Sequence, residues 1–243
     1  MPRIRNLYDP ESASPYRLSR TKLENFLKCP RCFYLDRRLG VGQPPGFPFN
    51  INSAVDELLK REFDECRSKG VAHPYMVDAG IKAVPANHSD LDQWRKNFVG
   101  VSYLHPATNF EVFGAIDDLW LTEGGEYLVV DYKATAKKDE VNLDADWQIS
   151  YKRQMEIYQW LLRKNGLPIS NRGWFVYCNG KRDLNRFDNK VEFRVSLLPY
   201  DGNDDWVETA LIEAKETLNR GDLPPPDENC DFCTYRQETA VFE

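Results

Sequence analysis

The chain has 243 residues, of which 42% are hydrophobic and 29% charged, and a formal net charge of −6. That balance excludes an intrinsically disordered chain and describes an ordinary globular one; an acidic total does not of itself advertise a nucleic-acid partner. No apolar run approaches the ~20 residues that span a bilayer, and residues 1–16 lack the apolar segment of a secretory signal. The expectations are therefore a loose arm over 1–16, no membrane partner and a cytoplasmic location.

Taken in order, Leu18–Leu39 reads as a helix, with Thr21 and Glu24 at capping-box spacing and Leu23, Phe26 and Leu27 on one face. It runs through Cys29-Pro30-Arg31-Cys32, and the Gly- and Pro-rich stretch Gly40–Phe49 reads as a loop. Ser53–Ser68 is a second helix whose buried stripe is Val55, Leu58, Leu59, Phe63 and Cys66, with Asp56 at the stripe's margin. A third helix is expected from Ser89 to about Phe98.

The stretch Phe110–Thr135 reads as two strands around Glu123-Gly124-Gly125-Glu126, since paired Gly between apolar, β-branched runs signals a hairpin. Asp117 lies on the first arm, and Asp131 and Lys133 share one face of the second. A two-residue loop sets Asp117 opposite Tyr132, whereas a three-residue loop with one left-handed Gly sets it opposite Asp131. Facing carboxylates repel unless a cation or proton lies between them. Oxygen ligands of this type suit Mg²⁺ or Mn²⁺, and a lysine beside them can orient a water or stabilise developing negative charge.

Beyond the hairpin, Trp147–Lys164 reads as a helix, with Trp147, Tyr151, Met155, Tyr158 and Leu162 in an i, i+4 rhythm and Gln154 one turn from Tyr158. Gly173–Cys178 and Val191–Leu198 read as strands, and Asp204–Arg220 as a last helix before Pro224-Pro225-Pro226. Basic residues gather in two places: Arg17 through Arg38, and Lys137, Lys138, Lys152 and Arg153 after the hairpin, where they could carry phosphates.

Of six cysteines, Cys66 and Cys178 sit singly in apolar segments and read as core thiols. Cys29-x-x-Cys32 and Cys230-x-x-Cys233 read as one four-thiolate metal site, which requires the C-terminal tail to fold back on the N-terminal segment. Four thiolates accept either Zn²⁺ or a 4Fe–4S cluster.

These residues together resemble the PD-(D/E)XK nuclease superfamily, and within it the RecB-like and CRISPR-associated exonuclease branch. Leu18 to Leu23 with Cys29-Pro30 and Phe33-Tyr34-Leu35 is similar to that branch's opening helix. Gly114-Ala115-Ile116-Asp117 looks like its GxxD motif, Asp131-Tyr132-Lys133 its DxK, and Gln154 through Tyr158 its QxxxY. The family's GxxxH falls on Asn52–Asp56, where Asp56 stands in place of His. Iron–sulfur relatives usually split their cysteines one and three, whereas this chain splits them two and two.

The resemblance implies an α/β restriction-endonuclease-like core, a small mixed sheet flanked by helices, over 17–221, with the tail 222–243 closing a cysteine clip between the two ends of the chain. It implies a divalent-metal-dependent nuclease acting on DNA, either single-stranded or at a duplex end, in an exonuclease-like role in repair, recombination or defence. Asp117, Asp131 and Lys133 would be catalytic and Gln154 and Tyr158 supporting. Asp56, Asp117, Asp131 and the Tyr132 carbonyl would hold the ion. Two other readings stay open: a nucleic-acid-binding protein with a degenerate site, and an interaction module that the cysteine-bound metal staples.

Overall fold

The computed structural model describes residues 6–44, 46 and 50–242; the expectations for 1–5, and for positions 45 and 47–49 of the Gly40–Phe49 loop, lie outside them. In chain order the elements are β1 (Tyr16–Ser19), α1 (Arg20–Lys28), α2 (Pro30–Arg37), α3 (Asn50–Lys69), α4 (Pro74–Asp78), β2 (Ala83–Pro85), α5 (Leu91–Trp94), β3 (Val101–His105), β4 (Phe110–Gly114), β5 (Asp118–Thr122) and β6 (Tyr127–Thr135). A 3-10 turn (Asp146–Gln148) leads into α6 (Ile149–Lys164), followed by β7 (Arg172–Gly180), β8 (Phe193–Asp201), α7 (Trp206–Asn219) and α8 (Asp231–Thr239). The span 17–221, expected as one domain, is divided between two compact units: Met1–Phe47, Ser102–Phe113 and Asp205–Glu243 form the first, and Pro48–Val101 with Gly114–Asp204 the second.

In the first unit, the helix expected over Leu18–Leu39 is instead a strand and two helices. β1 pairs in parallel with β4, which has β3 on its other edge. The helix cap is Ser19, whose hydroxyl accepts from the Lys22 N–H at 3.3 Å, two residues before the expected Thr21. Cys29 then leaves the helical region at φ −162° and ψ 104°, because the ring of Pro30 clashes with a helical residue before it. Pro30 starts α2 at a position where its missing N–H costs nothing. Within the stretch expected as a loose arm, Tyr8 is anchored in this unit while most of its neighbours are exposed. Tyr8 is buried, its hydroxyl donates to Asn219 Oδ1 at 2.7 Å, and its ring meets Tyr16 and Phe110 edge-on.

The second unit is a mixed sheet of order β2-β5-β6-β7-β8, antiparallel throughout except for the β6–β7 pair, which α6 connects as a crossover. Strand alternation sends Leu128, Val130 and Tyr132 to one face, where they bury Leu59 and Phe63 of α3 together with Trp120. Phe63 stacks on Trp120 at 5.6 Å. Burying one such side chain contributes roughly 1.5–3 kcal/mol. Leu58, expected in the stripe, is 59% exposed, since the apolar face of α3 is narrower than its sequence suggests. Val129 and Asp131 take the other face of β6 and are wholly buried, and Gln154 of α6 meets Asp131 there.

The first arm of the expected hairpin is broken. β4 ends at Gly114 in the smaller sheet, the Ile116 N–H donates to the Trp94 carbonyl, and β5 starts only at Asp118. Gly100, at φ +63°, lies so near Gly114 that a Cβ would stand 2.3 Å from its carbonyl oxygen, so this corner requires glycine. The turn itself has three residues, Glu123-Gly124-Gly125. Thr122 N–H bonds the Glu126 carbonyl at 2.9 Å, and Gly125 is left-handed at φ 85°. Asp118 thereby pairs with Val130, and continuing the register sets Asp117 across from Asp131.

Replacing Gly125 with Ala forces a Cβ into the left-handed region at a cost of about 1–2 kcal/mol. With open space around that position, the expected result is a melting temperature lower by roughly 2–8 °C and an unchanged far-ultraviolet spectrum in a thermal scan.

Candidate functional site

The open end of β6 in the second unit gathers the acidic and basic groups. Asp131, wholly buried in its apolar sheet, accepts from Gln154 Nε2 at 2.8 Å and is ion-paired with Lys133 through its other oxygen. Lys133 also donates to Gln154 Oε1 at 3.3 Å and lies 4.5 Å from the centre of the Tyr151 ring. Gln154 Nε2 donates in turn to the Tyr158 hydroxyl at 3.1 Å. One turn of α6 thus fixes both the carboxylate and the ammonium. A surface Lys at a strand end contributes little to stability, but Lys133 is only 13% exposed and neutralises a carboxylate with no exposure at all.

Asp117 stands just before β5, and its Oδ2 accepts from the Tyr132 backbone N–H at 2.9 Å. Lys60 of α3 lies between Asp56 and Asp117, 2.8 Å from an oxygen of the first and 3.6 Å from an oxygen of the second. Burial first, and then the neighbouring Asp117, lifts the Asp56 carboxyl above its ordinary value, with Lys60 opposing. Asp56 is therefore a half-buried member of the acidic group. Asp56, Asp117 and Asp131 do not form a set with all ligand oxygens within 4.8 Å of one another; among the described residues such a set is made only by the four cysteines.

Adjacent to Asp117, Asp118 has a different task. It is wholly buried and accepts from Tyr132 Oη at 2.8 Å, from Arg95 at 2.8 Å and from Arg67, while Arg95 Nε donates to the Asp117 carbonyl at 2.9 Å. Asp64 of α3 binds both arginines from the far side. Burial and the Asp118 charge keep the Tyr132 hydroxyl protonated far above the usual range. This lattice of charges ties α3 and α5 to the strand that carries Asp131. Lys60, Arg67, Arg95 and Asp118 were not singled out from the sequence. Each is a charged residue with distant partners, and the spacings readable on α3 were those of Asp56 with Lys60 and Asp64 with Arg67.

In the first unit, Cys29 and Cys32 at the start of α2 meet Cys230 and Cys233 at the start of α8, so the two ends of the chain are clipped together. The Sγ separations are 3.6 Å for Cys29–Cys233, 3.6 Å for Cys32–Cys230 and 4.0 Å for Cys32–Cys233, and all four sulfurs lie within 4.8 Å of one another. All four residues are buried. Burial raises the Cys29 and Cys32 thiols, Cys32 to about 11. At Cys230 the same burial is outweighed by hydrogen bonds from the Cys233 backbone and the Cys32 and Cys29 side chains, which leave its thiol below the ordinary value. Four soft donors at this spacing could hold a metal.

The model of the PD-(D/E)XK nuclease superfamily matches residues 51–237, and the chain belongs to that superfamily. No curated protein matches the sequence. One solved structure, the crystal structure of SSO0001, aligns with a TM-score of 0.43 at 14% identity, over 97% of this chain and 88% of that one. Membership makes this a nuclease fold with a nucleic-acid substrate class. No helix among the described residues is long and apolar enough to cross a membrane.

The neighbours Asp117 and Asp118 differ in what they hold together. Asp118→Ala leaves Arg67 and Arg95, each about one-tenth exposed, without their shared buried carboxylate, and should lose about 3–5 kcal/mol in denaturant unfolding. Asp117→Ala breaks one hydrogen bond and relieves Asp56 of a like charge, so the same measurement should move by roughly 1 kcal/mol or less.

Proposed function

We propose that the protein is a divalent-metal-dependent deoxyribonuclease whose chemistry resides at the end of β6 in the second unit. The observation that carries this is the wholly buried Asp131 ion-paired to Lys133, with Gln154 bonded to both. The donor set is all oxygen, and carboxylates repelling in a half-buried cleft are stabilised by a cation. The fit is thus to a hard ion, Mg²⁺ or Mn²⁺, with Asp117 and Asp131 as ligands and Asp56 and the Tyr132 carbonyl as further oxygens. When bound, such an ion lowers the pKa of a coordinated water and polarises the phosphate.

The chain's own residues do the rest. Gln154, steadied by Tyr158, holds the Asp131 carboxylate in place beside Lys133. Lys133, backed by the Tyr151 ring, would donate an N–H hydrogen bond that orients a water or stabilises the negative charge growing on a non-bridging phosphate oxygen. Low local dielectric strengthens both interactions. An exonuclease-like role on DNA ends, as in the RecB-like branch, is the reading the opening motif Leu18–Leu23 and the cysteine clip favour.

For the thiolate centre we infer a single tetrahedral ion, Zn²⁺. Metal–sulfur bonds of ~2.3 Å in a tetrahedron put the sulfurs roughly 3.8 Å apart, which agrees with separations of 3.6, 3.6 and 4.0 Å. A 4Fe–4S cluster puts each thiolate on a different iron and spreads the sulfurs further. Purified protein should be colourless with one zinc per chain, and a chelator should lower its melting temperature. A brown protein that bleaches in air would overturn this assignment.

The nuclease reading is tested with Lys133→Ala. Cleavage of labelled DNA in Mg²⁺ or Mn²⁺ should fall by roughly 10²–10³-fold, the usual loss for one electrostatic stabiliser. Without metal the variant should also melt earlier than wild type, because Asp131 loses its buried counter-charge. Added Mn²⁺ should restore more of that loss than it adds to wild type. A second reading, a DNA-binding protein that does not cut, is favoured by Lys60, whose ammonium neutralises Asp56 and Asp117 without any metal. Wild-type protein that binds DNA but yields no product in either ion would establish it.

A further inference from the structure

A line of cations and aromatic rings leads away from Lys133 across the second unit. Lys133 Nζ lies 4.5 Å from the Tyr151 ring centre, and the Tyr151 ring meets Trp147 edge-on at 5.3 Å. Trp147 in turn receives Lys137 Nζ 5.3 Å from its ring centre. Trp147, Tyr151, Met155 and Tyr158 keep a helical rhythm in the sequence. Met155 and Tyr158 are buried, but Trp147 lies in the 3-10 turn before α6 and is 52% exposed. A Trp left half in water gives up part of the burial free energy a core position would supply, so its place calls for another reason.

The segment presenting that ring is held from below by two buried amides. Asn179 of β7 accepts from the Lys137 N–H at 2.8 Å and donates to the carbonyls of Lys137 and Asp139. Gln148 accepts from the Ala145 N–H at 2.9 Å and donates to the Asn142 carbonyl at 2.7 Å. An exposed aromatic on an ordered loop is preorganised, and little ordering entropy is left to lose when something stacks on it. Past Lys137 the line opens into a cavity of about 420 Å³ lined by Lys138, Lys181, Arg182 and Arg194. Its acidic neighbours are Asp183 and Glu192, and Glu192 is taken up by Lys181 and Lys190. Rings carry bases and fixed cations carry phosphates.

We propose that this line is a binding track for single-stranded DNA, in which an unpaired base stacks on Trp147 and the flanking phosphates run over Lys137 into the basic cavity. The proposal rests on the nuclease reading for its direction, since the track starts at Lys133. A duplex fits it poorly, because its bases are already stacked on one another and cannot reach the ring without being unpaired.

The test is fluorescence anisotropy of a fluorescein-labelled oligothymidylate and of a labelled blunt duplex, in EDTA so that no cleavage occurs. Trp147→Ala should weaken single-strand binding about tenfold, within the range for loss of one stacked base. It should change duplex affinity little, and Trp147→Phe should restore most of the loss. Separately, Lys137→Gln with Arg194→Gln should flatten the dependence of log affinity on log salt by about 1.4, close to 0.7 per phosphate contact on a single strand. Equal weakening of strand and duplex by Trp147→Ala, or an unchanged salt slope in the double variant, overturns the track. Both readouts are free of catalysis. Wild-type protein that binds the strand through Trp147 but never cuts it would overturn the nuclease reading and leave the track standing; cleavage by a protein whose strand binding ignores Trp147 would do the reverse.

Discussion

Carboxylates in an apolar sheet are the constraint on which the second unit depends. Asp131 and Asp118 are fully buried on β6 and β5, and Asp117 and Asp56 stand half-buried beside them. Isolated charges in such places would be neutralised or expelled. The unit instead brings Arg67, Arg95, Lys60 and Lys133 inward, from α3, α5 and β6 itself. The positions of those elements follow from where the positive charges must be.

Two neighbours in sequence divide this work. Asp118 faces Arg67, Arg95 and the Tyr132 hydroxyl, a set in which both carboxylate oxygens are bonded inside the protein. Asp117 accepts a backbone N–H with one oxygen and keeps the other near Lys60, a single ammonium. Rigid guanidinium partners suit a permanent strut, and a single ammonium suits a site that exchanges its cation. The pairing of residue types is thus consistent with a structural role for one aspartate and a chemical role for the other.

Much of this was legible from residues alone, and the limits have physical causes. The order of strands and helices, the thiol pairs, and the common face of Asp131 and Lys133 follow from local periodicity and spacing, which a chain carries with it. The register of the hairpin did not follow, because Gly124-Gly125 permits two loop lengths and only the left-handed Gly125 decides between them. The break after Gly114 was hidden for a similar reason: apolar residues continue straight through it, while β4 and β5 belong to different sheets. Charged residues on helices read as solvated by default. Lys60, Arg67 and Arg95 escaped that default only through partners between 22 and 57 positions away. Trp147, expected to open the helix, lies in the 3-10 turn before it, because helical spacing does not mark where the first α-turn begins.

The thiolate clip and the carboxylate cleft answer the same electrostatic problem with opposite chemistry. In the first unit the groups are soft, close together and enclosed between the first turns of two short helices. Burial there favours neutral thiols, so only a tightly held soft or borderline ion makes four thiolates stable together. In the second unit the groups are hard, further apart and already paired with lysines, so a cation must compete with an ammonium to enter. A metal held by four such thiolates would be hard to lose, whereas a cation entering the cleft would have to displace a lysine.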